Sequence, residues 1–181
     1  MANYAASGLG EKTACVEIHG HGQLSQWKTA GSKGYFKDKS VYYYPDFHKD
    51  RIPILLNSDY ERIILDFGDA YIDCRKEIMR CDRKIFLLNL NPWQQSAAKY
   101  LIRTVKKEEW GHIQPVFGSV KASKEVRMAV EKEFQIHIEA IPLLEESCCI
   151  PGEAFSGLNH LIGFTAAKKR NRLRIPTRRK I

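Results

Sequence analysis

Two stretches of this chain, residues 63–67 (IILDF) and 85–90 (IFLLNL), are almost unbroken apolar runs of strand length. A strand with one wet face alternates apolar and polar side chains. A run without alternation belongs to a strand covered on both faces, as in a parallel sheet between two layers of helix. Residues 71–81, between the two runs, are long enough for a crossover helix, and Pro92 starts a second helix reaching about Lys107.

The pattern continues in both directions. A strand is expected over 113–117, a helix over 123–132 with Val126, Ala129 and Val130 at i, i+3 and i+4, a strand over 136–141 ended by Pro142, and an amphipathic helix over 152–162. Upstream, residues 2–9 read as a helix ended by Gly10, 13–18 and 41–44 as strands, and 52–56 as a short helix that tolerates Pro53 in its first turn. Strands alternating with helices predict an α/β fold, a doubly wound and mostly parallel sheet flanked by helices. One domain is expected over 1–166, followed by a basic, disordered tail over 167–181.

With 181 residues, 44% hydrophobic and 28% charged, the chain is long enough for a core that needs neither disulfides nor a metal. The formal charge of +8 is unevenly placed. Residues 168–180 (KKRNRLRIPTRRK) carry Lys168, Lys169, Arg170, Arg172, Arg174, Arg178, Arg179 and Lys180 and no carboxylate. Setting those eight aside leaves 21 basic residues against 21 acidic ones, so the body is neutral. Such a tail binds polyanions, either nucleic-acid phosphates or an anionic membrane, or serves as a solvated terminus; Pro176 argues against a continuous amphipathic anchor helix. The five cysteines are irregularly spaced, and residues 1–10 lack the basic and apolar regions of a secretory signal, so a cytoplasmic, thiol-reduced protein is expected.

Four segments in order, CVEIHGHGQLS, YERIILDFGD, KIFLLNLNPWQ and IEAIPLLEESCCIPGEAF, resemble the ParA/MinD-type partitioning and positioning ATPases of the deviant P-loop class, over roughly residues 2–163. In that resemblance the second segment stands where the Walker B strand does. A carboxylate at the C-terminal end of a buried parallel strand lies where α/β folds bind ligands and can hold a water of the Mg²⁺ that neutralises nucleotide phosphates. Asp66 is the residue so placed; the alternative is that it caps the turn after its strand. Gly68 would let the following loop approach a γ-phosphate through its backbone N–H. Glu17 stands where the family uses switch aspartates, and His19 and His21 follow it without suiting Mg²⁺.

The family's phosphate-binding loop, a Gly-rich turn ending in Lys and Ser or Thr, occurs nowhere in this sequence; the nearest imitation is GSKG at residues 31–34. Residues 2–9 resemble the end of the helix that follows that loop. A truncated chain or misplaced start is therefore expected, with the strand and loop lying in the roughly 15–20 residues before Met1. The resemblance implies Mg-ATP as cofactor, an ATPase inactive as written, and a nucleotide-dependent face-to-face homodimer. It also implies a degenerate nucleotide-switch function in partitioning or positioning. The alternative is a non-catalytic α/β scaffold attached through its basic tail to nucleic acid or anionic membrane.

Three further constellations are weaker. His19 and His21 with a cysteine or Glu17 could ligate zinc, but no Cys pair has C-x-x-C spacing, so no metal other than Mg²⁺ at Asp66 is expected. No nucleophile elbow marks a hydrolase. Trp27, Trp93, Trp110 and Tyr42 to Tyr44 have no basic residues interleaved in sequence and are assigned to packing or an interface.

Overall fold

In the computed structural model the described residues are 1–18, 20–28, 31, 33–141, 150–152 and 154–163. His19, Ser32, Cys148, Cys149 and the basic tail lie outside them. The chain forms two compact units; among the described residues the first is Met1–Lys84 with Trp110–Gln114 and Ile150, and the second is Ile85–Glu109 with residues 115–141 and those from Pro151 through the last helix.

The first unit opens with a π-helical turn, Tyr4–Gly8. It continues through β1 (Thr13–Glu17), α1 (Gln23–Trp27), β2 (Phe36–Asp38), β3 (Val41–Tyr44), α2 (Ile52–Leu56), β4 (Arg62–Asp66) and α3 (Arg75–Arg80). Its sheet has the order β2-β3-β1-β4. β1 runs parallel to both β3 and β4, and β2 pairs antiparallel with β3. One face packs Ala14 and Val16 against Phe47 and the α2 residues Ile52 and Leu55. The other packs Val41, Tyr43 and Phe36 against Ala2 and Ala6. Val16 and Val41 are fully buried, and each such side chain contributes roughly 1.5–3 kcal/mol of transfer free energy.

The second unit contains β5 (Ile85–Leu88), α4 (Gln95–Lys106), β6 (Val116–Val120), α5 (Lys124–Phe134), β7 (Ile138–Ile141) and α6 (Ala154–Ile162). Its sheet, β5-β6-β7, is wholly parallel. α4 buries Ala98, Ile102 and Val105, spaced four and three apart, the stripe an amphipathic helix presents to a core. Ser123 caps α5 by accepting the Val126 N–H at 3.3 Å, and Gln135 closes that helix in the left-handed region.

The α/β class and the parallel strands are as expected, with several differences of detail. The hydrogen-bonded strands form two sheets. β4 ends its sheet, and Ile63, Ile64 and Leu65 are half-buried, where an interior strand would bury them fully. β6 starts at Val116 instead of 113, because Pro115 has no N–H for a ladder and Gln114 folds back to donate to the Gly111 carbonyl. α3 covers only Arg75–Arg80, the residues from Tyr71 to Cys74 forming turns. Two elements were not expected: α1, and β2 in a hairpin with β3.

Candidate functional site

The C-terminal ends of β1 and β4 lie side by side, with Glu17 in register with Asp66. The pairing is extended by the Ile18 N–H, which donates to the Asp66 carbonyl at 2.9 Å. Parallel alignment therefore puts both carboxylates on one face at one rim of the sheet; the strand that carries Asp66 is parallel but ends its sheet, where a buried interior strand was expected.

The two acids have different surroundings. Asp66 is exposed, and its Oδ1 accepts the Gly68 N–H at 3.0 Å, the turn-capping bond of the alternative reading. Gly68 has φ of 55°, a conformation that excludes most side chains at little cost to glycine. Its N–H could meet a phosphate only by exchanging that bond. Glu17 is 5% exposed, and its carboxylate accepts the backbone N–H groups of Gln23 at 2.9 Å and Leu24 at 3.3 Å. It thereby satisfies two of the orphan donors at the start of α1. Service as a switch carboxylate would have to be shared with these two bonds. Asp66 is thus the accessible carboxylate of the pair, and Glu17 is tied to the backbone.

His21 Nε2 lies 3.2 Å from Asp69 Oδ1 on the loops beyond these strands. Among the described residues no group of three or more His, Cys, Asp or Glu is placed to hold a metal ion. The GSKG segment lies between α1 and β2, and the Gly34 N–H donates to the Gly31 carbonyl at 2.9 Å. In the second unit, Ser119 on β6 is 3% exposed, and its Oγ has no hydrogen-bond partner among the described residues.

Cys15 lies on the same sheet face as the two carboxylates. Burial pushes its thiol up from an ordinary 9.0 to about 11, and the charges of Asp66 and Glu17 add to the shift. Burial also pushes the Tyr43 phenol up, to about 12. A group whose folded pKa is raised stabilises the fold fully below its unfolded value and loses that contribution as pH rises through the folded value. The melting temperature is therefore expected to hold up to about pH 9 and to fall between 9 and 12, with a smaller fall in Cys15→Ala. A melting curve equally alkali-sensitive in both proteins would refute the assignment to Cys15.

The aromatic residues divide. Trp110 is buried beneath Lys84, whose Nζ is 5.9 Å from its ring centroid, whereas Trp93 is 93% exposed. Tyr43 belongs to the core. Tyr42 has basic neighbours that sequence order hides, with Lys37 Nζ at 5.1 Å and Lys12 Nζ at 5.7 Å from its ring. The capping role of Glu17 was also not legible, since no local spacing rule links a side chain to N–H groups six and seven residues on.

No protein-family model and no curated protein sequence matches the chain. Solved structures do. The MinD cell division protein of Aquifex aeolicus superposes with a TM-score of 0.60 at 12% identity, covering 91% of this chain and 89% of that one. A plasmid partition protein from Borrelia burgdorferi gives 0.60 at 11% identity, covering 93% and 90%. A ParA family ATPase from Chlorobium tepidum TLS gives 0.56 at 14% identity, covering 86% and 81%. Similarity at this level of identity is similarity of fold. The chain has an α/β fold similar to that of these ParA- and MinD-type proteins.

Proposed function

We propose that this chain is a degenerate nucleotide-switch protein of the partitioning and positioning type, one that binds Mg-ATP weakly and does not hydrolyse it. The observation that carries this reading is the exposed carboxylate of Asp66 at the C-terminal rim of a parallel strand. Asp66 would hold a water of Mg²⁺, and Gly68 would offer its N–H to the terminal phosphate. Bound Mg²⁺ would neutralise phosphate charge. Residues 1–181 contain no Gly-rich Lys-Ser/Thr turn to cradle phosphate, and Glu17 is held by the first amides of α1. A nucleotide-dependent homodimer in the cytoplasm is part of the proposal. No helix among the described residues is long and apolar enough to cross a membrane.

Thermal melting tests it. A ligand at 100 times its Kd stabilises the fold by about 2.7 kcal/mol. Saturating Mg-ATP should raise the melting temperature by several degrees, and Asp66→Ala should abolish the rise. Identical curves with and without Mg-ATP would rule the reading out.

A second reading rests on the eight cations of residues 168–180. In it the α/β body is a scaffold held on nucleic acid or anionic lipid by the tail. Deleting 168–181 should then remove retention on heparin and make any residual DNA binding less sensitive to salt, because fewer counterions are released from the phosphates. Unchanged retention would dispose of this reading.

A further inference from the structure

Four tyrosines gather on one face of the first unit's sheet. Lys37 of β2 stands opposite Tyr42 of β3, and Tyr42 and Tyr44 stand opposite Ala14 and Val16 of β1, so all of these side chains lie on the same face. Tyr35, the residue before β2, has its ring centre 5.7 Å from that of Tyr42 and 5.2 Å from that of Tyr44. Tyr60, on the approach to β4, lies 5.4 Å from Tyr42, and its hydroxyl is 2.8 Å from that of Tyr44. All four rings are half-buried, whereas Tyr43, on the opposite face, is enclosed with Val41 and Phe36 in the core.

Cations border these rings. Lys37 Nζ lies 5.1 Å from the centre of Tyr42, and Lys12 Nζ lies 5.7 Å from Tyr42 and 5.3 Å from Tyr60. Lys12 is shared with Asp59, at 2.5 Å, while Lys37 is exposed. Residues 33–39 add Lys33 and Lys39, and their one carboxylate, Asp38, alternates to the opposite face with Phe36. Rings with ammonium groups at their border fit a ligand that carries flat aromatic faces and anionic links between them. An unpaired nucleobase stacks on a ring while its phosphate meets the cation. A duplex keeps its base faces against one another and offers these groups only phosphate.

We infer that this tyrosine face binds single-stranded nucleic acid, with bases stacked on Tyr35 and Tyr42 and Lys37 paired with the phosphate between them. The inference goes beyond the tail reading above and needs neither the tail nor a bound nucleotide. It is tested on the full chain by fluorescence anisotropy of labelled oligothymidylate, as a single strand and in a duplex. Tyr42→Ala should weaken single-strand binding roughly tenfold and leave duplex binding as it was, and Tyr42→Phe, which keeps the ring, should bind like the native chain. Lys37→Glu, at an exposed position, should also weaken single-strand binding and reduce its dependence on salt, even if Tyr42→Ala does not fold. The tail attracts either kind of strand through phosphate alone. Single-strand binding that persists unchanged in the folded variants would belong to the tail and overturn the inference. So would a native chain that binds no single strand.

Discussion

With Val16 replaced by aspartate, the cooperative unfolding transition of the Met1–Lys84 unit is expected to disappear. Val16 is fully buried on β1, between β3 and β4, in the cluster formed with Ala14, Phe47, Ile52 and Leu55. A carboxylate there has no hydrogen-bonding partner and no water. Unpaired buried charge belongs to the few mechanisms that cost more than about 4–5 kcal/mol, comparable with the roughly 5–15 kcal/mol that hold a whole domain. Hydrogen exchange should show rapid labelling of the β1, β3 and β4 amides. Val16→Ala, which removes two methyl groups and leaves a small void, should cost roughly 2 kcal/mol and keep the transition. Persistent protection of β1 in the aspartate variant would contradict the packing described.

The second large effect is expected in the other unit. Ile102 is fully buried on α4, on the stripe it shares with Ala98 and Val105. Ile102→Ala should cost about 2–5 kcal/mol, the range for large-to-small changes in packed cores. Tyr100 lies on the same helix and is 66% exposed, so Tyr100→Ala should stay within about 0.5 kcal/mol. Urea unfolding of the two variants reads the difference directly. Equal midpoints would mean that α4 does not bury the face assigned to it.

The parallel strands were legible from their unbroken apolar runs, but the expected cover on two faces does not hold: β4 and β5 both lie at sheet edges, Ile63, Ile64 and Leu65 are only half-buried, and Leu87 is exposed. Helix α5 was legible from its apolar period, although Ala129 of the expected stripe is exposed; α4 was expected from Pro92 but begins at Gln95, after a turn. The β2–β3 hairpin was not legible. Its two-residue turn, Lys39-Ser40, places a lysine at φ of 50°, where glycine or asparagine would have announced the turn. β6 was displaced because Pro115 bars the ladder and Gly118 leaves a gap in the apolar pattern. At the site, the position of Asp66 followed from its strand. The fate of Glu17 depended on a loop folding back, which no periodicity encodes.

That fold-back has a mechanical consequence. Because Glu17 accepts the first amides of α1, the mouth of β1 is fastened to the start of that helix, and Leu24 fastens the helix in turn to the cluster of Phe36, Val41 and Tyr43.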